Sequence, residues 1–314
     1  MTMRFPLIAV LALAAVASHA SFDLMLIGDN GDNTTFGRKI HRYDPVTGAY
    51  LGSFGNFIAS INNVVIDRTN KRAAVLTGAS IQFYDYNTGN FLFERNSAGA
   101  TSLRMNRAGT RFVMAMGTGR VWSADLNYLS MFYSIDLTGS MVIDDAAMTA
   151  DGSVLAYGYD IASGNPRLSS FTPAGSLTQS ITATSSYSHQ GFAFNSAGGN
   201  TLVDLSYDGY QFLNSQTIVN GVWTNTDFSG TGGLSSAHYN GIASAHEGVY
   251  VMGSEIGTGL SRVVHYSNFG SPVNSFRPTQ VQSFAGMDTF LAPEPGTWAA
   301  LGLGALTLMR RRSR

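Results

Sequence analysis

The sequence predicts an all-β protein, a six-bladed β-propeller whose blades are four-stranded antiparallel sheets. Residues 62–94 show the basic unit, in which four short apolar runs are separated by turns rich in Asn, Gly and Thr. A single sheet of this kind cannot bury both faces, so it needs neighbours like itself. Similar units recur at intervals of about 40–50 residues, which is the period expected for propeller blades.

The first and last units complement each other. The first group of runs, at 22–29, 40–44 and 50–54, has only three strands, whereas a single unpaired run at 285–291 follows the last complete unit. We therefore expect the C-terminal run to complete the first blade and close the ring, which removes free sheet edges. The first strand of each blade is marked by an equivalent position: Ile66, Met105, Met148, Phe194, Ser244 and Thr289.

The composition excludes several functional classes. Charged residues make up 12% of the chain and the formal net charge is −1, so no basic surface for nucleic acid is expected. The chain has no Cys, which excludes disulfides, thiolate metal sites and cysteine nucleophiles.

The N-terminus has the pattern of a secretory signal peptide. Arg4 precedes a short apolar stretch at 7–16, and Ser18-His19-Ala20 places small residues at the cleavage positions. We expect signal peptidase to remove residues 1–20, which leaves Ser21 as the first mature residue. The alternative is that this stretch is a buried first helix.

The C-terminus carries a second targeting pattern. Pro293, Glu294 and Pro295 precede an apolar run at 298–309, which is shorter than the roughly 20 residues of a permanent helical span. The chain then ends in a basic cluster that includes Arg310, Arg311 and Arg312. This order of features resembles a PEP-CTERM sorting signal. The alternative is a plain C-terminal membrane anchor.

The resemblance covers only the tail, residues 293–314, and leaves 21–292 for the propeller body. It implies a Gram-negative exosortase substrate that is inserted transiently in the inner membrane by a short transmembrane helix. The tail is then cut near the Pro-Glu-Pro motif, and the body is transferred to the cell surface or released. Such a protein is expected to meet an extracellular polysaccharide or another surface protein.

Candidate ligands for a metal or small molecule gather in the loops that enter the first strands. These loops are expected to meet at the mouth of the central channel, where imidazole and carboxylate groups together could bind a transition metal. The alternative is that they are ordinary polar loop residues. The candidates are Asn63, Asp144, Asp145, His189 and His238.

The sequence contains no motif with catalytic spacing, and we assign it no cofactor. We therefore expect a binding or structural module of the cell surface or extracellular matrix. The alternative is a periplasmic or extracellular metal-dependent hydrolase or lyase, with the metal held at the channel mouth by His189, His238 and an acid. We expect any partner to bind the face that carries these loops, because loops on a rigid scaffold commonly carry binding sites.

Overall fold

The computed structural model describes residues 23–31, 37–78, 80–97, 99–127, 131–182, 187–194, 201–208, 211–219, 222–228, 234–255, 258–267 and 271–290. Within strands, residues 131–134, 187–190, residue 290 and those between 201 and 240 are described by their backbone alone. The predicted signal peptide at 1–20 and sorting tail at 293–314 lie outside the described residues. In the part of the chain that is described, no helix has the length and hydropathy needed to cross a membrane.

The described chain is all-β, as predicted. Its strands pair into four-stranded antiparallel sheets, in which neighbouring strands follow chain order except that the last strand, β24, pairs with β1. Numbered sheet 1 to sheet 6, they are β24 (Phe284–Phe290), β1 (Leu24–Asp29), β2 (Lys39–Tyr43), β3 (Tyr50–Phe54); β4 (Ile61–Asp67), β5 (Arg72–Thr77), β6 (Ser80–Asp85), β7 (Phe91–Asn96); β8 (Ala100–Met105), β9 (Arg111–Met116), β10 (Arg120–Asp125), β11 (Met131–Asp136); β12 (Met141–Met148), β13 (Val154–Asp160), β14 (Pro166–Phe171), β15 (Leu177–Thr182); β16 (Tyr187–Phe194), β17 (Thr201–Asp208), β18 (Gln211–Val219), β19 (Val222–Phe228); β20 (Leu234–Ser244), β21 (Val249–Glu255), β22 (Ser261–Tyr266), β23 (Pro272–Phe276).

Burial differs systematically between the second and fourth strands of a sheet. Every residue of β1 and of β5 is buried, whereas β7 and β23 are exposed or half-buried along their length. A strand that is flanked by two others and covered on both faces must be apolar throughout, and the runs LMLI and AAVL meet this requirement. The fourth strand lies at the rim, where one edge faces solvent.

The core lies between the sheets. Each buried apolar cluster combines residues from two different sheets, so that the sheets are joined in pairs. Representative members, in the order sheets 1–2, 2–3, 3–4, 4–5, 5–6 and 6–1, are Leu26 with Val75, Leu76 with Phe112, Ala115 with Ile143, Leu155 with Phe192, Ala193 with Val251, and Met252 with Ile27.

A repeated turn brings glycine against the neighbouring sheet. In the turn after β6, Asp85 accepts hydrogen bonds from the amides of Asn87 and Thr88, and Gly89 follows at φ +76°. A Cβ atom on Gly89 would lie 2.4 Å from Cβ of Phe54 in sheet 1. Glycine is therefore required here both for its positive φ and for the close approach of two sheets.

The strand β24 is held on three sides. It pairs with β1 in sheet 1, with Met25 opposite Thr289. On one flank, Asp288 accepts a 2.7 Å hydrogen bond from the amide of Ile66 in β4. On the other flank, the hydroxyl of Thr289 donates to the carbonyl oxygen of Ser244 in β20. The predicted completion of the first sheet by the C-terminal strand is thus present in the structure.

The carboxylate of Asp29, at the end of β1, holds the segment that leads into β24. Its two oxygens accept the amides of Gly31 at 2.9 Å, Ser283 at 2.7 Å and Gln282 at 3.2 Å, and lie 3.2 Å from Nε2 of His41. Burial by itself raises the pKa of Asp29, but these hydrogen bonds outweigh burial and hold the pKa below its usual value of 3.8.

The depressed pKa of Asp29 predicts acid sensitivity with a definite sign. A carboxyl whose pKa is lower in the folded state stabilises the protein above its unfolded pKa, and this stabilisation is lost as the pH falls through the folded value. We expect Asp29→Asn to melt below the wild type at pH 7. The difference in melting temperature between the two proteins should become smaller as the pH falls below about 4. Thermal melting at pH values from 7 to 3 measures this difference.

The exposed Asp136 provides the control for this prediction. Hydrogen bonds from Thr138, and more weakly the pair with Arg120 at 3.0 Å, also lower the pKa of Asp136, but more than half of its side chain is exposed, so solvent screens these interactions. Asp136→Asn should change the pH dependence of the melting temperature between pH 7 and pH 3 much less than Asp29→Asn does. A melting gap between wild type and Asp29→Asn that stays constant down to pH 3 would contradict the role given to Asp29.

Candidate functional site: the central channel

The inner strands, which are the first strands of each sheet, all carry an irregularity at the same place. In each one the pairing with the second strand shifts by one residue, which is a β-bulge. In sheets 2 to 6 the extra residue is polar, and the inner strand continues past it. The residues that follow the extra position are Asn63, Ser102, Asp145, Gly191, Gly241 and Gly286.

Two residues further along each inner strand, one position per sheet lines a shared central cavity. Four of these residues are small and apolar, and the other two are one basic and one acidic residue. The set is Val65, Arg104, Ala147, Ala193, Ala243 and Asp288. Because small side chains occupy most of this layer, the channel has room for the long side chain of Arg104.

Arg104 crosses the channel from sheet 3. Its Nε donates to Oδ1 of Asp145 at 2.7 Å and its Nη2 to Oδ2 at 2.5 Å, a bidentate pair with the neighbouring sheet. Its Nη1 donates to the carbonyl oxygen of Phe192 in sheet 5 at 2.5 Å. A Cβ atom on Gly191 would lie only 2.9 Å from Nη2, so glycine makes room for the guanidinium.

In the described part of the channel, Arg104 lines two recesses of about 200 Å³ each. The loop-side recess opens beside the beginning of the inner strands and is lined by Asn62, Asn63, Phe284 and Gly286. The turn-side recess opens on the opposite face, between the turns that follow β4 and β8.

Charged groups are concentrated in the turn-side recess. Arg68, Arg107 and Asp288 line its wall. Nη2 of Arg68 donates to the carbonyl oxygen of Thr289 at 3.0 Å, and Cζ of Arg107 lies 5.7 Å from the ring centre of Phe194. Burial, and more weakly the charge of Arg68, lower the pKa of Arg107. Burial raises the pKa of Asp288, although Arg68 and two backbone amides oppose this shift.

Comparison with solved structures identifies the fold. A chain of a nidogen/laminin complex aligns with a TM-score of 0.59 at 12% identity, over 86% of this chain and 98% of that one. A protein of unknown function from Bacteroides caccae aligns with a TM-score of 0.60 at 11% identity, over 86% and 99%. The Cps50 (Swd1) β-propeller domain of Myceliophteria thermophila aligns with a TM-score of 0.54 at 12% identity, over 80% and 86%. The chain folds as a β-propeller. No protein-family model and no curated protein matches it, and at these identities the likeness shows the propeller fold alone.

The predicted site residues of the propeller lie within inner strands rather than in the loops before them. Asn63 is in β4, Asp144 and Asp145 are in β12, His189 is in β16 and His238 is in β20. The predicted loop placement was wrong because strand ends were assigned from apolar runs, whereas a bulge lets pairing continue past a polar residue.

The structure gives Asn63 and Asp145 definite partners. Oδ1 of Asn63 accepts the amide of Val64 at 2.8 Å, and both oxygens of Asp145 accept from Arg104. Asp144 is half-buried at the bulge of β12 and also makes an interaction. The side chains of His189 and His238 lie outside the described residues. Among the residues that are described, no group of three or more His, Asp or Glu could hold a metal ion, and the metal site stays a prediction.

Of the charged residues in the channel, only Asp145 was predicted, and Arg104 and Asp288 were not. The sorting-motif residues from Pro293 onward lie outside the described part of the chain. A signal for the channel was nevertheless present, since the position before each repeat anchor is Ala in three repeats and Val in one. The exceptions, Arg104 and Asp288, are a basic and an acidic residue at a position that lines the central cavity.

Proposed function

We propose that this protein is an exported β-propeller that serves as a binding or structural module of the cell surface or extracellular matrix. Its body, residues 21–292, forms a closed six-bladed ring. The observation that carries the binding role is the channel, which Arg104 and Asp145 close in the middle so that a recess with charged walls remains on the turn side.

Two observations support the closed ring. The buried clusters join the sheets in succession, and one of them joins sheet 6 to sheet 1 through Met252 and Ile27. The strand β24 also contacts both β4 and β20, through Asp288 and Thr289. In a closed ring of this kind, each face of every sheet is covered by a neighbouring sheet.

Export rests on the two ends of the sequence. Signal peptidase removes residues 1–20, and the short apolar run of the tail at 293–314 holds the protein transiently in the inner membrane. An exosortase-type enzyme then reads Pro293, Glu294 and Pro295, with Arg310, Arg311 and Arg312 on the cytoplasmic side. The partner at the surface is an extracellular polysaccharide or another surface protein.

Intact-protein mass spectrometry tests the export and sorting. In a Gram-negative host that has an exosortase, we expect a protein that begins at Ser21 and lacks every residue beyond the Pro-Glu-Pro region. Replacement of Glu294 by Ala should leave the tail attached and the protein in the membrane fraction. Surface material that still carries Arg310, Arg311 and Arg312 would overturn the sorting proposal.

A further inference from the structure

A band of exposed apolar side chains follows the outer strands of sheets 1, 2 and 6. Val46 is 56% exposed in the turn between β2 and β3, and Phe91 is 55% exposed at the start of β7. Exposed side chains of this size in neighbouring sheets form a surface that a partner can cover. We call this band the apolar rim, and its members are Val46, Tyr50, Leu51, Phe91, Leu92 and Val273.

Strand pairing places the apolar rim on the turn side, the face that carries the turns after β4 and β8. In sheet 1, Tyr50 pairs with Tyr43, and Tyr43 pairs with Met25 near the start of β1. In sheet 2, Phe91 pairs with Tyr84 at the equivalent end. The rim therefore lies at the end of the sheets where β1 begins and where its partner β24 stops.

Buried aromatic rings support the rim from inside. The ring of Tyr43 lies 5.4 Å from that of Tyr50 and 5.8 Å from that of Phe276 in sheet 6. The ring of Tyr84 lies 5.6 Å from that of Phe91. The exposed rings are thus held against buried ones with their outer sides in solvent. Aromatic rings in this position are typical of the boundary between membrane and water.

The chain leaves the described body close to the rim. The strand order β24-β1-β2-β3 puts β3 three strand spacings from β24, a distance of about 14 Å. Residues 291–297 follow β24 and lead to the apolar run at 298–309, and such a segment spans at most about 25 Å. Once this run enters a membrane, as proposed above, the rim stays within reach of the lipid surface.

We propose that the apolar rim is a lipid-docking surface, which rests the propeller body on the outer leaflet of the inner membrane while the tail is inserted. This proposal deepens the proposed function and rests on it. The short connection favours lipid over a second copy or another protein, because it holds the rim beside the bilayer at a high effective concentration. Docking turns the opposite face, which carries the loops, away from the membrane.

Site-specific labels on the full chain test this docking, because the protein has no Cys of its own. Val46→Cys and Phe91→Cys place a fluorophore on the rim. Ile161→Cys and Leu260→Cys are the matched controls, since each residue is 52% exposed in a loop on the opposite face. The labelled proteins are reconstituted in phosphatidylcholine vesicles with and without nitroxide-labelled lipid. We expect the nitroxide to quench the rim labels and to leave the control labels unchanged.

Serine variants show whether the apolar side chains cause the docking. Phe91→Ser/Leu92→Ser should lower the docking equilibrium constant by at least about tenfold, because two large side chains lose their lipid contact. Quenching of a label at Val46 measures this constant. Ile161→Ser/Leu260→Ser is the control and should leave the quenching as it is. If the first variant does not fold, Leu51→Ser/Val273→Ser gives the same readout.

Flotation of the vesicles separates this proposal from the proposed function. A protein that does not float with the vesicles overturns the membrane insertion of the tail, and with it the docking. A protein that floats while its rim labels are quenched no more than the controls overturns the docking surface alone. Energy transfer between rim labels of separate copies, in place of quenching by lipid, would identify a second copy as the occupant and also overturn the proposal.

Discussion

A chain that ends after Gln282 is expected to be insoluble or to lose most of its folding stability, which for a domain is about 5–15 kcal/mol. It lacks β24, and with it the partner that covers one edge of β1, every residue of which is buried. It also loses the hydrogen bonds from Asp288 to Ile66 and from Thr289 to Ser244 that join sheet 1 to both its neighbours. Soluble yield and thermal melting measure the effect.

The matched control is a chain that ends after Ala292. It keeps β24 and, like the shorter chain, lacks the sorting tail, so a difference between the two reports the strand alone. We expect the control to be soluble and to melt cooperatively. If both truncations melt at the same temperature, the closed ring proposed for the propeller is wrong.

Replacement of Asp67 by Ala is expected to cost about 3–5 kcal/mol, the usual effect of removing one partner of a buried ion pair. Oδ2 of Asp67 accepts from Nη2 of Arg72 at 2.5 Å, with 0% and 7% of the two side chains exposed. Arg72 also donates at 2.6 Å to the carbonyl oxygen of Leu126, which directly follows β10 of sheet 3, and packs over Phe83. Without Asp67 this guanidinium remains buried and loses its carboxylate partner.

Thermal melting should show the loss as a melting temperature lower by roughly 10 °C. Asp136→Ala, which breaks the exposed pair with Arg120, is the control and should melt close to the wild type. The double variant Asp67→Ala/Arg72→Met should recover part of the loss, because it removes both charges. If Asp67→Ala melts as the wild type does, Asp67 does not stabilise the interface between sheets 2 and 3.

Much of the fold could be predicted from local patterns. Apolar runs such as 73–76 and 112–116 lie in second strands that are buried on both faces. The turn at 85–90 forms where Asp85 accepts backbone amides and Gly89 adopts a positive φ. The unpaired run at 285–291 indicated the closure of sheet 1. These features follow from strand periodicity and turn chemistry, which act over a few residues and therefore repeat visibly along the chain.

The candidate site could be predicted only in part. The predicted fold placed the candidate site at the central channel, and Asn63 and Asp145 do lie along this channel. The chemistry there did not follow, because Asp145 is paired with Arg104 from another repeat. A contact between residues 41 positions apart leaves no local trace in the sequence.

By itself the sequence determined the class of the structure, an all-β chain of repeated four-stranded units, whereas the targeting patterns at its two ends stay predictions. Only the tertiary structure decided what fills the channel. The reason is physical: strand and turn formation depend on neighbouring residues, whereas the position of a long side chain such as Arg104 depends on which distant residues are small. Ala147, Ala193 and Gly191 provide that space, and Asp145 the opposite charge, from sheets other than that of Arg104.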